Sequence, residues 1–213
     1  MISWVGLSAT EIFLMEIFLI SLGGFVMRKM VFAGLVFAFG LSICAQTASS
    51  ADVSELLERA KKGEPEAQYG LAERYRKGDG VPKNAEVAEQ WYRKAAEQGV
   101  PDAQSTLGKM YRIGEGVPQN DAEAAIWYRK AAVQGVSDVQ AELGLMYANG
   151  LGVPRDYVES VKWYRKAAEQ GNANAQHGLG VMYHNGFGVE RDDSEATQWF
   201  RKAAEQGYYG KPQ

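Results

Sequence analysis

The sequence predicts an all-α fold, an α/α superhelical solenoid that is built from antiparallel helix pairs. The first observation is a unit of 36 residues that occurs four times in register. The second is the spacing of apolar residues inside the unit, which is typical of two short helices. A fixed period of about 20–50 residues indicates repeats that bury their apolar faces against one another. The period appears as columns of one residue type: Leu71, Leu107, Leu143 and Leu179; Tyr75, Tyr111, Tyr147 and Tyr183; Trp91, Trp127, Trp163 and Trp199; and Gly99, Gly135, Gly171 and Gly207.

The first helix of each unit is predicted from the second copy. Its apolar residues follow the spacing i, i+4, i+7, i+8 of an amphipathic helix: Ala103, Leu107, Met110 and Tyr111. We expect this helix to stop at Gly114, because glycine adopts the left-handed conformation that ends a helix. Pro118 follows shortly afterwards and prevents the helix from resuming.

The second helix is predicted to begin after Asn120, whose side chain can cap the first turn. Glu123 completes a capping box, and the same pattern recurs at Asp156 with Glu159 and at Asp192 with Glu195. The first repeat has Asn84 but Val87, so it keeps half of the box. Each second helix then carries an aromatic pair, a basic pair and two alanines before its final glycine.

Small residues predict where the helices approach one another. One column of the first helices reads Ala72, Gly108, Gly144 and Gly180. A glycine inside a helix costs about 0.8–1.0 kcal/mol relative to alanine. We therefore expect a neighbouring helix, with its Trp or Tyr ring, to lie against the backbone at this column.

These motifs resemble a known family. The pattern Leu-Gly-x-Met-Tyr-x-x-Gly-x-Gly-Val-x-x-Asp, followed by Trp-Tyr-Arg-Lys-Ala-Ala-Glu-Gln-Gly, extends from Leu143 to Gly171 and resembles a Sel1-like repeat. That family is similar to tetratricopeptide repeats, with a longer connection between the helices. The resemblance covers Ala67 to Gly207 and implies an α/α superhelical adaptor, often bacterial, that acts in assembly, signalling or host contact.

The repeats divide the chain into regions. We expect repeats at 67–102, 103–138, 139–174 and 175–210, a capping helix at 52–66, and a short tail at 211–213. No further helix is predicted to cover Trp199 and Phe200. Since solenoids need a polar terminal cap, this end is expected to be partly exposed or used in self-association, with a homodimer as the result.

Residues 1–51 are predicted to direct export. Arg28 and Lys29 precede an apolar run of 15 residues, and small residues up to Ala51 follow, the order found in a secretory signal peptide. We expect translation to start at Met27, residues 1–26 to be an over-called start, and cleavage near Ala51. The protein would then be periplasmic or secreted. The alternative is a membrane anchor formed by this segment, although a spanning helix needs about 20 residues.

Composition excludes several other functions. Residues 52–213 contain 21 basic and 24 acidic residues, and this balance lacks the basic footprint of a nucleic-acid-binding protein. Cys44 is the only cysteine, so 52–213 cannot form a disulfide. The two histidines, His177 and His184, are seven residues apart, or about 10.5 Å along a helix, which is a poor spacing for one metal ion.

No enzyme, catalytic residue, metal or cofactor is predicted. Some Sel1-like proteins have been linked to β-lactam binding or hydrolysis, so a β-lactam-binding relative is a further alternative. Serine enzymes of that kind use Ser-x-x-Lys, and no serine of 52–213 has a lysine three positions later.

The predicted binding site is the groove lined by the first helices. Columns that vary between the four copies are candidates for contact with a partner: Tyr69, Ser105, Ala141 and His177; Glu73, Lys109, Leu145 and Val181; and Arg76, Arg112, Ala148 and His184. The groove would be charged in its first half and apolar, with histidine, in its second. We expect it to bind an extended peptide or a helix of another envelope or secreted protein. The turn residues Leu151 and Phe187 would extend the apolar half.

A second functional reading uses the basic pairs, which would align along the array: Arg93-Lys94, Arg129-Lys130, Arg165-Lys166 and Arg201-Lys202. Through them, or through Tyr and Trp rings, the protein would be an envelope factor that contacts peptidoglycan or a polysaccharide. The other interpretation is that these cations complement the helix dipole and nearby glutamates.

Overall fold

The structure, a computed structural model, describes residues 52–209. They belong to one compact unit, Ala51–Gln213. The signal peptide, the start at Met27, the cleavage near Ala51 and the tail at 211–213 lie outside the described residues. Over 52–209, no helix has the length and apolar character needed to cross a membrane.

Between residues 52 and 209 the chain forms nine helices and no strand, which confirms the all-α prediction. Helix α1 covers 52–61. Each of the four repeats then supplies a first and a second helix of 13 residues. They are α2 (Pro65–Lys77), α3 (Ala85–Glu97), α4 (Pro101–Ile113), α5 (Asp121–Val133), α6 (Ser137–Asn149), α7 (Tyr157–Glu169), α8 (Ala173–Asn185) and α9 (Asp193–Glu205).

The helices stop and start where the sequence predicts, but the glutamate half of the capping box does not form. The N–H of Asn120 donates to the carbonyl oxygen of Tyr111 at 2.8 Å instead. Gly114, with φ of 74°, ends α4, and its N–H bonds the carbonyl oxygen of Met110. Asn120 caps α5, because its side chain accepts hydrogen bonds from the backbone N–H groups of Ala122 and Glu123. Asp156 and Asp192 cap α7 and α9 in the same way.

The small-residue column lies against aromatic rings. A Cβ atom built on Gly144 would be 2.9 Å from the Tyr164 ring, and one on Gly180 would be 2.8 Å from the Phe200 ring. Tyr128 takes the same position against Gly108. Each ring comes from the second helix of the same repeat and is a tyrosine or phenylalanine. The glycines thus let the two helices of a pair approach closely.

Consecutive repeats are joined by buried glutamines. The side chain of Gln104 in α4 donates a hydrogen bond of 2.9 Å to the carbonyl oxygen of Ala96, at the end of α3. It also accepts one of 2.8 Å from Gln134, at the end of α5. The pattern recurs where glutamine donates to the preceding helix: Gln68 to Ala60, Gln140 to Ala132 and Gln176 to Ala168. Since Ala60 lies in α1, α1 takes the place of a second helix ahead of the first repeat.

The Gly-x-Gly turns are a second junction between repeats. A Cβ atom on Gly116 would lie 2.6 Å from the backbone of Ala85, the first residue of α3. Gly152 and Gly188 lie in the same way against Asp121 and Tyr157, the first residues of α5 and α7. Each turn therefore packs on the second helix of the preceding repeat.

Candidate functional site

The candidate site is the surface of the first helices that was predicted to line the groove, and we call it the first-helix face. It is formed by the variable columns of α2, α4, α6 and α8. Of these side chains, Lys109, Leu145 and His184 are exposed. Ala141 is buried, and the others are half-buried: Tyr69, Glu73, Arg76, Ser105, Arg112, Ala148, His177 and Val181. The frame is the same in all four repeats, so the chemistry of this face is set by these side chains.

In the first repeat, the charges of this face are paired with one another. The guanidinium of Arg76 lies 3.0 Å from the carboxylate of Glu73, and the ammonium of Lys77 lies 2.7 Å from it. The hydroxyl of Tyr92 donates to Glu73 and accepts a hydrogen bond of 3.1 Å from Arg76. Burial alone would raise the pKa of Glu73, but the hydrogen bonds from Arg76, Lys77 and Tyr92 outweigh it and lower this pKa to about 2. The positive charge of Arg76 is therefore already balanced.

Arg112 is paired between repeats. Its guanidinium lies 3.6 Å from the carboxylate of Glu142 on the next first helix. Tyr128 interacts electrostatically with both charges, and burial raises the pKa of Tyr128 to about 12. Glu142 was not predicted as a site residue from the sequence. The signal was that Glu142 is the only charged residue in its column, which is Gly70, Thr106, Glu142 and Gly178.

Lys109 differs from both arginines. Its side chain is exposed, and over residues 52–209 it has neither a hydrogen bond nor an ion pair. Glu73, which occupies the same column one repeat earlier, is held by three donors. Lys109 is thus the cation of the face that is best placed to meet an acidic partner.

The second half of the face is apolar. Leu145 on α6 and the turn residues Leu151 and Phe187 are exposed. Phe187 stacks on Tyr157 with ring centroids 4.8 Å apart and planes inclined by 11°. Tyr157 was not predicted as a site residue from the sequence, although it is the only aromatic residue in its column, which otherwise holds Ala85, Asp121 and Asp193. Exposed apolar side chains on a regular frame are a common feature of interaction surfaces.

The two histidines have different surroundings. His177 lies between the rings of Phe200 and Tyr208, at centroid distances of 5.2 and 5.5 Å, and burial lowers its pKa. The Nδ1 atom of His184 lies 2.9 Å from the carboxylate of Asp193. Among the described residues there is no cluster of three or more histidine, cysteine or acidic side chains that could hold a metal ion.

The basic pairs contact aromatic side chains of the array, although all four lysines and three of the four arginines are exposed. Lys94, Lys130, Lys166 and Lys202 each lie 3.9–4.4 Å from the ring centroid of the tryptophan three residues earlier. Arg93, Arg129 and Arg165 donate to the hydroxyl of a tyrosine in the next repeat: Tyr111, Tyr147 and Tyr183. The cations therefore contribute to the packing of the repeats through cation–π contacts and hydrogen bonds.

The predicted self-association residues lie on α9, and both are half-buried. Phe200 differs from its counterparts Tyr92, Tyr128 and Tyr164, which are 0–6% exposed. Trp199 does not stand out in this way, because Trp91 inside the array is also half-buried.

The fold and this face define the class of the protein as an α-helical repeat scaffold. The Sel1 repeat matches four consecutive segments, at residues 65–100, 101–136, 137–172 and 173–208, and the chain belongs to the Sel1 repeat family. Sel1 repeats generally mediate protein–protein interaction on a scaffold that is generally non-catalytic.

Two solved structures are similar to this chain. A protective antigen of uropathogenic Escherichia coli strains, which displays an SLR fold, is 48% identical, with a TM-score of 0.69. The match covers 73% of this chain and 33% of the antigen, so the chain spans about a third of that protein. A Sel1 repeat protein from Oxalobacter formigenes is 40% identical, with a TM-score of 0.70 and coverage of 78% and 68%. A search of curated proteins found no match.

Proposed function

We propose that this protein is a non-enzymatic adaptor, exported to the bacterial envelope, that binds a peptide or helix of another protein along the first-helix face. The observation that carries the proposal is the change along that face on a constant frame. In its first half Arg76 and Arg112 are paired with carboxylates and Lys109 is exposed, and its second half exposes Leu145, Leu151 and Phe187.

The chemistry of the face suggests the chemistry of the partner. An apolar segment would lie against Leu145, Val181 and Phe187, and an acidic residue beside it would meet Lys109. Arg76 and Arg112 would support the face through their pairs with Glu73 and Glu142, and contribute less to the contact itself. Groove binding of this kind uses a few apolar anchors with a charged contact beside them.

The polysaccharide alternative is less well supported. The basic pairs are mostly exposed, but each lysine already lies on a tryptophan ring and three of the arginines already donate to tyrosines, so a polysaccharide would have to compete with these contacts. The β-lactam alternative is weaker still. Ser160, the serine nearest to a lysine in sequence, is fully buried, and its hydroxyl donates to the carbonyl oxygen of Gly144 at 2.7 Å.

Affinity capture from envelope extracts, with residues 51–213 as bait and mass spectrometry as readout, tests the binding proposal. The variants are Leu145→Glu and Lys109→Glu, and the control is Ile126→Glu, because Ile126 is also an exposed apolar residue (50%, against 38% for Leu145) but lies on α5. We expect one protein to be retained by the parent and the control and lost from Leu145→Glu. Equal capture by all four baits would exclude the first-helix face.

Salt distinguishes the two classes of partner. At about 1 M salt, where screening acts within about 3 Å, a partner held by the apolar half should remain bound, whereas a polysaccharide held by charge should be released. Export is tested separately. N-terminal sequencing of the mature protein should begin near Asp52, and recovery of the whole chain in the membrane fraction would favour the anchor instead.

A further inference from the structure

The second helices expose one stripe of side chains, and the chemistry of that stripe differs in the second repeat. On α5 two stripe positions are aliphatic, since Ile126 is 50% and Val133 is 72% exposed. They are seven residues apart, so they lie on one side of the helix about 10.5 Å from each other. The same two positions are exposed and polar or charged on the other second helices: Gln90 and Glu97 on α3, Lys162 and Glu169 on α7, and Gln198 and Glu205 on α9.

Two cations lie between the aliphatic side chains of α5. Arg129 and Lys130 follow Ile126 by three and four residues, so they share its side of the helix, and both are exposed. Lys130 lies 3.9 Å from the ring centroid of Trp127, and Arg129 donates to a tyrosine hydroxyl. Neither cation has a carboxylate partner among the described residues.

The missing carboxylates are present on other second helices. Arg93 on α3 lies 2.6 Å from Glu89, and Arg201 on α9 lies 3.8 Å from Glu205. On α5 these two acidic positions are held by alanine and valine, and its own acidic residues are confined to the first turn. The middle of the α5 stripe is therefore positive, and aliphatic side chains flank it on both sides.

We propose that the exposed stripe of α5, formed by Ile126, Arg129, Lys130 and Val133, binds an acidic helix of another protein. We call this stripe the α5 face. The complementary helix has aliphatic residues at i and i+7, which lie against Ile126 and Val133, and carboxylates at i+3 and i+4, which meet the two cations. Because the carboxylates are central, the partner helix fits in either direction. A helix that places a few apolar side chains on such a surface is a common mode of recognition.

A second copy of the chain is less complementary to the α5 face. Two α5 helices that bury Ile126 and Val133 against each other also bring the cations of both copies together, whether the helices are parallel or antiparallel. Like charges in contact repel each other. The exposed stripes of α3, α7 and α9 do not offer a pair of aliphatic residues at these positions either. The positive centre therefore favours an acidic partner over self-association.

An anionic membrane matches the charge of the α5 face but not its apolar area. Helices that lie in a membrane interface bury a broad apolar side. The other apolar side chains of α5 are buried within the array: Ala124, Ala125, Trp127, Tyr128, Ala131 and Ala132. Only the two aliphatic side chains of the stripe are left for a lipid surface, which is a small anchor, so a protein helix is the better match.

The first test uses a designed peptide as the probe. It is alanine-rich, helical and about 18 residues long, with two leucines seven positions apart and glutamates three and four positions after the first leucine. It is titrated into isotope-labelled residues 51–213, the compact unit of the fold. The NMR shifts of the amides at 122–133 should change with a dissociation constant below about 1 mM. A control peptide with glutamine in place of both glutamates should bind about tenfold more weakly.

Variants assign the binding to the α5 face. Ile126→Glu should weaken it by more than about tenfold, whereas Gln90→Glu, the same column of α3, should leave it unchanged. Lys130→Glu should weaken binding of the glutamate peptide and strengthen binding of a peptide with lysines at those two positions. Leu145→Glu should have no effect, which separates this surface from the first-helix face.

The second test identifies the natural partner by photo-crosslinking in cells that make the whole chain. A photo-reactive phenylalanine derivative replaces Val133, or Glu169 in the same column of α7 as the control. Adducts should form from position 133 alone. The crosslinked segment of the partner should carry carboxylates between two aliphatic residues seven positions apart.

Several outcomes would overturn the proposal. One is the absence of shifts at 122–133 up to about 1 mM peptide, and another is equal binding of the glutamate and lysine peptides. Adducts that are absent, that form equally from both positions or that map to a segment without carboxylates would also contradict it. So would binding to anionic phospholipid vesicles, or a dimer in sedimentation, that Ile126→Glu abolishes, because the occupant would then be a membrane or a second copy.

Discussion

The ring of Tyr164 lies against the backbone of Gly144 so closely that a Cβ atom there would be 2.9 Å from a ring carbon. This contact joins the two helices of the third repeat, α6 and α7. It explains why a residue that is unfavourable inside a helix occurs at the same column in three repeats.

Gly144→Ala should therefore destabilise the protein, although the same change in an open helix position is stabilising. The added methyl group forces the Tyr164 ring away, and overpacking of this kind lowers the free energy of unfolding by about 1–3 kcal/mol. The control is Gly70→Ala in α2, where a Cβ atom would lie 3.5 Å from Leu56, in ordinary contact. It should raise the free energy of unfolding by up to about 1 kcal/mol. Urea denaturation of both variants measures the difference, and equal stabilisation would show that the ring does not require the glycine.

Gln104→Leu should weaken the junction between the first and second repeats. Gln104 is buried, and the substitution removes both its donor to the Ala96 carbonyl oxygen and its acceptor for Gln134. The loss should lower the free energy of unfolding by about 1–3 kcal/mol, because two hydrogen bonds of about 0.5–1.5 kcal/mol each are removed. Both partners keep another bond, since the carbonyl oxygen of Ala96 still accepts from the N–H of Gly99 and Gln134 still donates to the carbonyl oxygen of Gly99. Gln198→Leu on the exposed side of α9 is the control, with an expected change within about 0.5 kcal/mol. If the two variants unfold at the same urea concentration, the buried glutamines do not hold the repeats together.

The fold could be predicted from the sequence because it depends on local and periodic signals. The apolar spacing, the helix-stopping glycines and the capping residues determine each helix from residues a few positions apart. The 36-residue period indicates that consecutive units pack on one another. The close approach at Gly108, Gly144 and Gly180 was also predictable. The identity of the ring was not, since Trp and Tyr are adjacent in every second helix and only the helix rotation decides between them.

The site was only partly predictable. The columns identified the residues of the first-helix face, but they did not indicate that Arg76 pairs with Glu73 or that Arg112 pairs with Glu142. The pair of Arg112 and Glu142 joins neighbouring first helices, and its formation depends on the lateral offset of those helices. The glutamine column Gln68, Gln104, Gln140 and Gln176 was visible in the sequence. The sequence did not show that these glutamines are buried, and without that information the column could not be distinguished from one of exposed polar residues.

The pairing of Glu73 should make stability depend on pH in the acid range. The pKa of Glu73 is about 2 in the folded protein, against 4.5 for the ordinary side chain. Its contribution to stability is therefore complete above pH 4.5 and is lost as the pH falls from there towards 2.

Glu73→Gln should lower the free energy of unfolding at pH 7 by about 1–2 kcal/mol, and the difference from the parent should disappear near the bottom of that pH range. Glu86→Gln, the same change at an exposed position of α3, is the control and should change stability by less than about 0.5 kcal/mol at either pH. Urea denaturation at pH 7, 4 and about 2.5 provides the measurement. A difference that stays constant with pH would mean that Glu73 is not stabilised as a carboxylate.

Two glycines with similar backbone angles should respond very differently to alanine. Gly116 and Gly135 have φ values of 72° and 94°. A Cβ atom on Gly135 would have no neighbour within 4 Å, whereas one on Gly116 would lie 2.6 Å from the backbone of Ala85. Gly135→Ala therefore has only the cost of the left-handed backbone, about 1–2 kcal/mol.

Gly116→Ala has this cost and must also move the turn away from α3, because a backbone atom cannot give way as a flexible side chain can. We expect it to lower the free energy of unfolding by at least about 2 kcal/mol more than Gly135→Ala does. Hydrogen exchange should also show faster opening at the start of α3 in Gly116→Ala alone, since the turn no longer covers it. Equal loss of stability in the two variants would mean that the backbone angle, rather than the contact with the preceding repeat, requires glycine in the Gly-x-Gly turn.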